Sequence, residues 1–197
     1  MTKKIINPFL EFAGWFAEAT SHPNIEDATA MSLATVAPNH HPSLRIVLMK
    51  DVTKNGFIFY TNLASRKALE IIHNNNAALC FYWMPIMKQV RVEGKLKKVS
   101  NSVADKYFAS RPRESQISAW ASRQSATLKD PNDFEQKMQK ITKDFENKKI
   151  PRPPFWSGFE LIADNIEFWE SRDFRRHIRR LYTKTKNNNW EMKYLYP

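Results

Sequence analysis

One cysteine and four glycines in 197 residues narrow what this chain can do. The lone Cys80 can close no internal disulfide, which suits a reducing compartment, and its place in the apolar run from Ala77 to Trp83 marks it as a core residue. Gly14, Gly56, Gly94 and Gly158 are too scattered to build a glycine-rich phosphate loop or a dinucleotide fingerprint, so any nucleotide has to be gripped by side chains. The five histidines, at 22, 40, 41, 73 and 177, form no pair with each other or with Cys80 at metal-ligand spacing, and no metal is expected. A G-x-S-x-G nucleophile elbow is also missing. No apolar run approaches the roughly 20 residues of a membrane-spanning helix. The opening Met1-Thr2-Lys3-Lys4-Ile5-Ile6-Asn7-Pro8 lacks the apolar region of an export signal, so a cytoplasmic protein without membrane contact is expected.

What the sequence has in excess is positive charge, +11 net. With hydrophobic residues at 42% and charged residues at 26%, the chain reads as an ordinary globular protein, expected to fold as a single domain over residues 1–197. Such charge attracts nucleic acid, membrane surfaces or small phosphorylated ligands, and its distribution discriminates among them. Much of it is concentrated inside elements: Arg45 and Lys50 flank an apolar strand, Arg66-Lys67 open a helix, Arg111 and Arg113 bracket a proline, and Arg172, Arg175, Arg176, Arg179 and Arg180 crowd one segment.

Periodicity predicts an amphipathic helix from about residue 7 to 19, capped by Asn7-Pro8. Strands are expected at Ala30 to Val36, Ser43 to Lys50 and Phe57 to Thr61, the last two joined by a hairpin turn at Lys54-Asn55-Gly56. A short helix, Arg66 to His73, precedes strands at Ala77 to Trp83 and Lys88 to Val99. Helices at Val103 to Ala109, Glu114 to Ala121 and around Phe134 to Phe145 form the middle, and strands return at Phe155 to Ala163, Ile166 to Trp169, Arg176 to Thr183 and Trp190 to Tyr194. Strands without crossover helices favour an α+β fold dominated by an antiparallel, closed or half-closed barrel.

Four segments carry candidate chemistry. In the strand Arg45 to Lys50, Arg45, Val47 and Met49 share one face and Ile46, Leu48 and Lys50 the other, either a basic sheet edge or a surface for a planar phosphorylated ligand. Tyr60, Thr61, Arg66 and Lys67 run from a strand into a helix N-terminus, where phosphate is at home, although Ser65 serves equally as a plain N-cap. Tyr107, Arg111 and Ser115 are spaced four apart, so helical continuity across Pro112 would align a phenol, a guanidinium and a hydroxyl on a second phosphate; Arg111 alone would serve to cap helix carbonyls. If residues 175 to 180 are extended, Arg175, His177 and Arg179 point one way and call for an anion or a polarisable ring against them, the alternative being a solvated basic strand.

Together these segments resemble the pyridoxine/pyridoxamine 5′-phosphate oxidases, from about Phe9 to Pro197. The likeness rests on motifs kept in order: R-I-V-L-M-K at Arg45 to Lys50, F-Y-T-N-L-A-S-R-K at Phe59 to Lys67, Q-V-R-V-E-G at Gln89 to Gly94, Y-F-A-S-R-P-R-E-S-Q-I at Tyr107 to Ile117, Q-S at Gln124-Ser125, F-W at Phe168-Trp169, R-R-H-I-R at Arg175 to Arg179, and the closing Leu195-Tyr196-Pro197. The resemblance implies a Greek-key split β-barrel with peripheral helices, a homodimer with FMN in the subunit interface. It implies FMN contacts at Arg45, Ile46, Val47, Leu48, Lys50, Tyr60, Thr61, Arg66, Lys67, Gln89, Gln124, Ser125, Trp169 and Arg179. Substrate contacts follow at Lys50, Tyr107, Arg111, Ser115, Arg175 and His177, the first four on the phosphate and the last two as the catalytic pair. The implied reaction is hydride transfer from C4′ of pyridoxine or pyridoxamine 5′-phosphate to flavin N5, with dioxygen reduced to hydrogen peroxide.

The sequence also departs from the family. Ile178 stands where an acid is usual, Met87-Lys88 precede Gln89 in place of Glu-Arg, and the amino-terminal extension of some relatives is essentially absent. These changes bear on substrate preference and rate. The rival readings are another flavin-binding split-barrel oxidoreductase and, from a different class, a basic nucleic-acid-binding module supported by charge alone.

Overall fold

In the computed structural model, which describes residues 7–197, nine strands and five helices alternate along the chain. The opening residues 1–6, part of the stretch read for an export signal, lie outside the described residues. The elements are α1 (Pro8–Ser21), β1 (Ala30–Val36), β2 (Pro42–Leu48), β3 (Asp51–Val52), β4 (Gly56–Asn62), α2 (Arg66–His73), β5 (Asn76–Trp83), β6 (Lys88–Lys98), α3 (Asn101–Ser110), α4 (Arg113–Ala121), α5 (Pro131–Asp144), β7 (Trp156–Glu170), β8 (Ile178–Lys184) and β9 (Trp190–Leu195).

Every strand pairing is antiparallel, and the path runs β2-β1-β5-β6-β7-β4-β3, with β8 and β9 branching from β7. The two ends of this path, β2 and β3, are separated by only Met49 and Lys50, and the Lys50 amide donates to Ile58 O at 2.8 Å. The sheet therefore curls back on itself as the expected split barrel, with the non-consecutive neighbours β1–β5 and β4–β7 of a Greek-key arrangement.

Two expected strands, Phe155 to Ala163 and Ile166 to Trp169, are one strand, β7. The register slips where Gly94 faces Ala163 and Glu93 faces Asn165, so Asp164 bulges out and bends β7 without ending it. Its first half can then pair with β4 and its second with β8. The turn at residues 53 to 56 is present, but across it β4 meets the two-residue β3, because the expected strand Ser43 to Lys50 ends at Leu48 and pairs with β1.

Inside the barrel, Leu33, Phe57, Phe59, Phe81, Val90, Val92, Leu161 and Phe168 are buried, and α1 closes one end. Asn7 caps that helix by accepting from the Phe9 amide at 3.0 Å; its face bearing Phe12 and Trp15 packs on Phe57, Phe81 and Phe168. Cys80, expected in the core, is only half-buried: alternation along β5 turns Leu79 and Phe81 inward and leaves Cys80 on the outer face. A second cluster, Phe108, Ile117, Ala119, Ile150 and Trp156, fixes α3 and α4 against β7. One surface is unlike the rest. Leu44, Ile46 and Leu48 on β2 are 68%, 63% and 39% exposed, an apolar row facing outward.

Candidate active site

A cavity of about 520 Å³ opens between β2, the end of β4, and α3–α4. Its lining includes Arg45, Ile46, Val47, Leu48, Lys50, Tyr60, Thr61, Lys67, Tyr107, Arg111 and Gln124, eleven of the residues singled out from sequence. Four of these are cations, and no aspartate or glutamate lines the space, so its field is suited to an anion.

Local structure explains the convergence. Strand β4 carries Tyr60 and Thr61 to its end, and Ser65 then caps α2, its Oγ accepting from the Ala68 amide at 3.4 Å. Lys67 Nζ donates to Thr61 Oγ1 at 3.4 Å and to Gln124 Oε1 at 3.3 Å, while Thr61 Oγ1 donates to the same Gln124 oxygen at 3.1 Å. Burial pulls the Lys67 pKa down, Arg45 adds to this, and Glu70 opposes it. Ser125, at φ 72°, accepts from the Arg66 amide at 3.2 Å. Arg66 and Ser125 themselves face an adjoining hollow of about 360 Å³ beside Glu70.

Three near-parallel rings form the other wall. Tyr60 lies 4.0 Å from Tyr107 and 5.1 Å from Trp156, centroid to centroid, and the Arg111 guanidinium sits 5.0 Å over Trp156. Desolvation raises the Tyr60 pKa to about 12, helped by Tyr107 and Asp51, so its phenol is a proton donor at neutral pH. Arg111 Nη1 is buried without a hydrogen-bond partner. The helix carbonyls that Arg111 would otherwise cap are taken by Gln116, whose Nε2 donates to Phe108 O and Arg111 O, both at 3.0 Å. Pro112 breaks the helix as expected, with Arg111 extended at φ −71° and ψ 149°, so Tyr107 and Arg111 reach the cavity while Ser115, on the next helix, is not part of its lining.

The remaining residues form a second group. Gln89, Trp169 and Arg179 sit side by side across β6, β7 and β8. The rings of Trp169 and His177 are 4.6 Å apart. Arg175 and His177 are not on a strand face with Arg179, as extended geometry would have it: Phe174 and Arg175 adopt positive φ of 55° and 60°, which turns the backbone and delays β8 to Ile178. The Arg172 amide donating to His177 Nδ1 at 3.2 Å closes that loop. None of Gln89, Trp169, Arg175, His177 and Arg179 lines the cavity.

Residues 18–143 match the family model for pyridoxamine 5′-phosphate oxidase, and residues 156–197 match the C-terminal dimerisation region of pyridoxine 5′-phosphate oxidase. A pyridoxine/pyridoxamine 5′-phosphate oxidase from Brucella canis is 47% identical over 192 residues, covering 96% of this chain and 94% of that protein; one from Wolbachia pipientis wMel is 44% identical over 191 residues, covering 97% and 88%. The chain belongs to the pyridoxine/pyridoxamine 5′-phosphate oxidase family. Among solved structures, PhzG from Burkholderia lata 383, in complex with tetrahydrophenazine-1-carboxylic acid, superposes with a TM-score of 0.91 at 26% identity over 97% of this chain and 93% of its own. A pyridoxamine 5′-phosphate oxidase-related, FMN-binding protein from Nostoc punctiforme shares the fold, with a TM-score of 0.79 at 18% identity over 98% and 99% of the two chains.

The residues present fit the flavin cofactor of this oxidase family. Four cations in a lining without an acid and a buried, unpartnered guanidinium nitrogen suit phosphate, and the apolar side chains of Ile46 and Leu48 suit a flat ring. Sequence reasoning missed Asn62, Ser118, Ala119, Ser122 and Trp156 in the lining, Glu70 behind Arg45, and Glu167 beside Arg179 in the second group. Asn62 was within reach, since it stands inside the F-Y-T-N motif; the others belong to no motif and are recruited by packing. Among the described residues no cluster of three or more His, Cys, Asp or Glu side chains is placed to hold a metal, and no helix is long and apolar enough to cross a membrane.

Proposed function

We propose that this protein oxidises pyridoxine 5′-phosphate and pyridoxamine 5′-phosphate to pyridoxal 5′-phosphate in the cytoplasm, with dioxygen as acceptor and hydrogen peroxide as product. The observation that carries the reading is the cavity with four cations, no acid and the orphaned Arg111 Nη1, in a chain 44–47% identical to oxidases of that name.

Bound FMN supplies the hydride acceptor that dioxygen then reoxidises. Arg45, Arg66, Lys67, Gln124 and Ser125 hold its phosphate, with Thr61 orienting Lys67 and Gln124. Lys50, Tyr107 and Arg111 grip the substrate phosphate from the cavity lining, and Ser115, outside that lining, is the fourth contact of this reading. Arg175 and His177 orient the pyridine ring and handle its proton, and Gln89, Trp169 and Arg179 complete the flavin enclosure.

Because these last five lie outside the cavity of their own chain, we assign them to the site of a second subunit. The apolar row Leu44, Ile46 and Leu48 and the dimerisation region at residues 156–197 support a homodimer with FMN between subunits. In this reading the chain is one folding unit and its excess charge serves phosphate ligands rather than nucleic acid.

The test is to purify the protein, look for bound flavin, and follow oxygen-dependent formation of pyridoxal phosphate from each substrate. A yellow protein active on either one supports the reading. A colourless protein, inactive with added FMN, sinks it.

A further inference from the structure

Two acidic side chains are buried among the described residues, Glu70 and Glu167, and each is engaged by arginines. Glu70, only 3% exposed, is the more enclosed. It faces inward from α2 beside Ala68 and Ile71, whereas Leu69 and Ile72 of the same helix are 57% and 70% exposed. A carboxylate therefore occupies a position where the helix would otherwise bury an apolar group. Ion pairs in such places add little stability over a well-packed hydrophobic side chain, so stability does not account for it.

Its partners come from three elements. Arg66 Nε donates to Glu70 Oε1 at 2.8 Å, while Oε2 accepts from Thr35 Oγ1 at 2.5 Å, Ser43 Oγ at 2.6 Å and Arg45 Nη2 at 3.0 Å. Arg45 is fixed further by donating from Nη1 to Leu33 O at 3.1 Å and to Thr35 Oγ1, and from Nη2 to Ser43 Oγ. One carboxylate thus ties a guanidinium from β2 to a guanidinium from the first turn of α2.

We propose that Glu70 is the positioning residue of the cofactor-phosphate grip, an assignment that rests on the reading of this cluster given above. Arg45, Arg66 and Lys67 crowd together, and without an anion among them the cations repel and their long side chains turn toward water. Glu70 holds both guanidinium planes in place before the ligand arrives, so less freedom is lost on binding. It also leaves the cluster at a net charge of +2, which matches a phosphate monoester carrying roughly −1.5 to −2 at neutral pH. Glu70→Gln keeps the shape but presents an amide N–H to a neighbouring donor.

The sign of the effect separates positioning from simple charge. A carboxylate that only offset excess charge would, once neutralised, let FMN bind tighter; a positioning carboxylate would let it bind weaker. The full-length apoprotein is titrated with FMN and with riboflavin, which lacks the phosphate, by flavin fluorescence. For Glu70→Gln the preference for FMN over riboflavin is expected to fall by about tenfold or more, with riboflavin affinity within about twofold of wild type. Unchanged preference, or tighter FMN binding, overturns the proposal. Should Glu70→Gln not fold, Glu70→Asp decides: it keeps the charge with a shorter reach, and an undiminished preference overturns the proposal equally. If the wild type binds riboflavin as tightly as FMN, or Lys67→Ala keeps the full preference, the phosphate reading of the cluster has failed, and Glu70's role with it.

Discussion

Arg179 donates from Nε to Glu167 Oε1 at 2.7 Å, so the guanidinium has a carboxylate partner although its chain neighbour is Ile178. Glu167, 7% exposed, also meets Arg91 Nη1 at 3.4 Å, while Arg179 Nη1 donates to Tyr196 O at 3.1 Å near the chain end. Glu167→Gln is expected to weaken FMN binding by about tenfold, because the half-buried Arg179 loses the charged partner that fixes its guanidinium. Ile178→Asp should change it by less than about twofold, since the guanidinium is already held. Titration of the apoproteins with FMN checks both.

Arg111 is stacked over Trp156 with one nitrogen unpartnered, a geometry that a lysine cannot reproduce. For Arg111→Lys, KM for the phosphorylated substrate should rise about tenfold or more with a smaller change in kcat, measured by steady-state kinetics. A kcat loss at unchanged KM would show that Arg111 does not bind the phosphate.

Gly158 lies under the ring of Tyr60. A Cβ there would come within 2.7 Å of Tyr60 Cε1 and 3.1 Å of Phe59 O, so the ring must move against Tyr107. Gly158→Ala is expected to destabilise by about 1–3 kcal/mol, lowering Tm by roughly 2–4 °C per kcal/mol, and to weaken substrate binding through the displaced stack. Calorimetry with a binding titration reads both effects.

Glu70 also gives the fold an acid limit. Burial alone would raise its pKa, but hydrogen bonds from Ser43, Thr35, Arg66 and Arg45 outweigh this and hold it at about 2, against an ordinary 4.5. A depressed carboxyl pKa contributes stability that is fully present above the unfolded value and lost as pH falls through the folded one. Wild-type Tm should therefore drop between about pH 4.5 and about pH 2 more steeply than that of Glu70→Gln. Parallel slopes would show that folding does not depress the Glu70 pKa.

Arg175 stands in a left-handed turn beside Phe174, which is 88% exposed, away from the phosphate cluster. Arg175→Ala should lower turnover by about a hundredfold while changing FMN affinity by less than about threefold. Equal losses in both would remove it from the catalytic pair.

The barrel was legible in the sequence because alternation and turn residues are local signals: β1, β5 and β6 lie where their patterns put them. Bends were not, since Asp164 is displaced from β7 by pairing with β6 and Phe174 takes positive φ against its own preference. The cationic residues could be picked out one by one, each sitting in a motif of a few residues. How they group could not. Glu70 reads in sequence as one more polar position on a helix, and Glu167 as an acid in a strand; only when β1, β2 and α2 pack do Thr35, Ser43, Arg45 and Arg66 converge on one carboxylate.

What the sequence determined alone is chemistry and pattern: the excess of cations, the absence of a glycine-rich loop, the antiparallel strands and the motifs of the family. The tertiary structure decided which of those cations share a cavity and which stand apart, because contacts between residues far apart in the chain depend on how strands pair and bend, and no local run of residues encodes that.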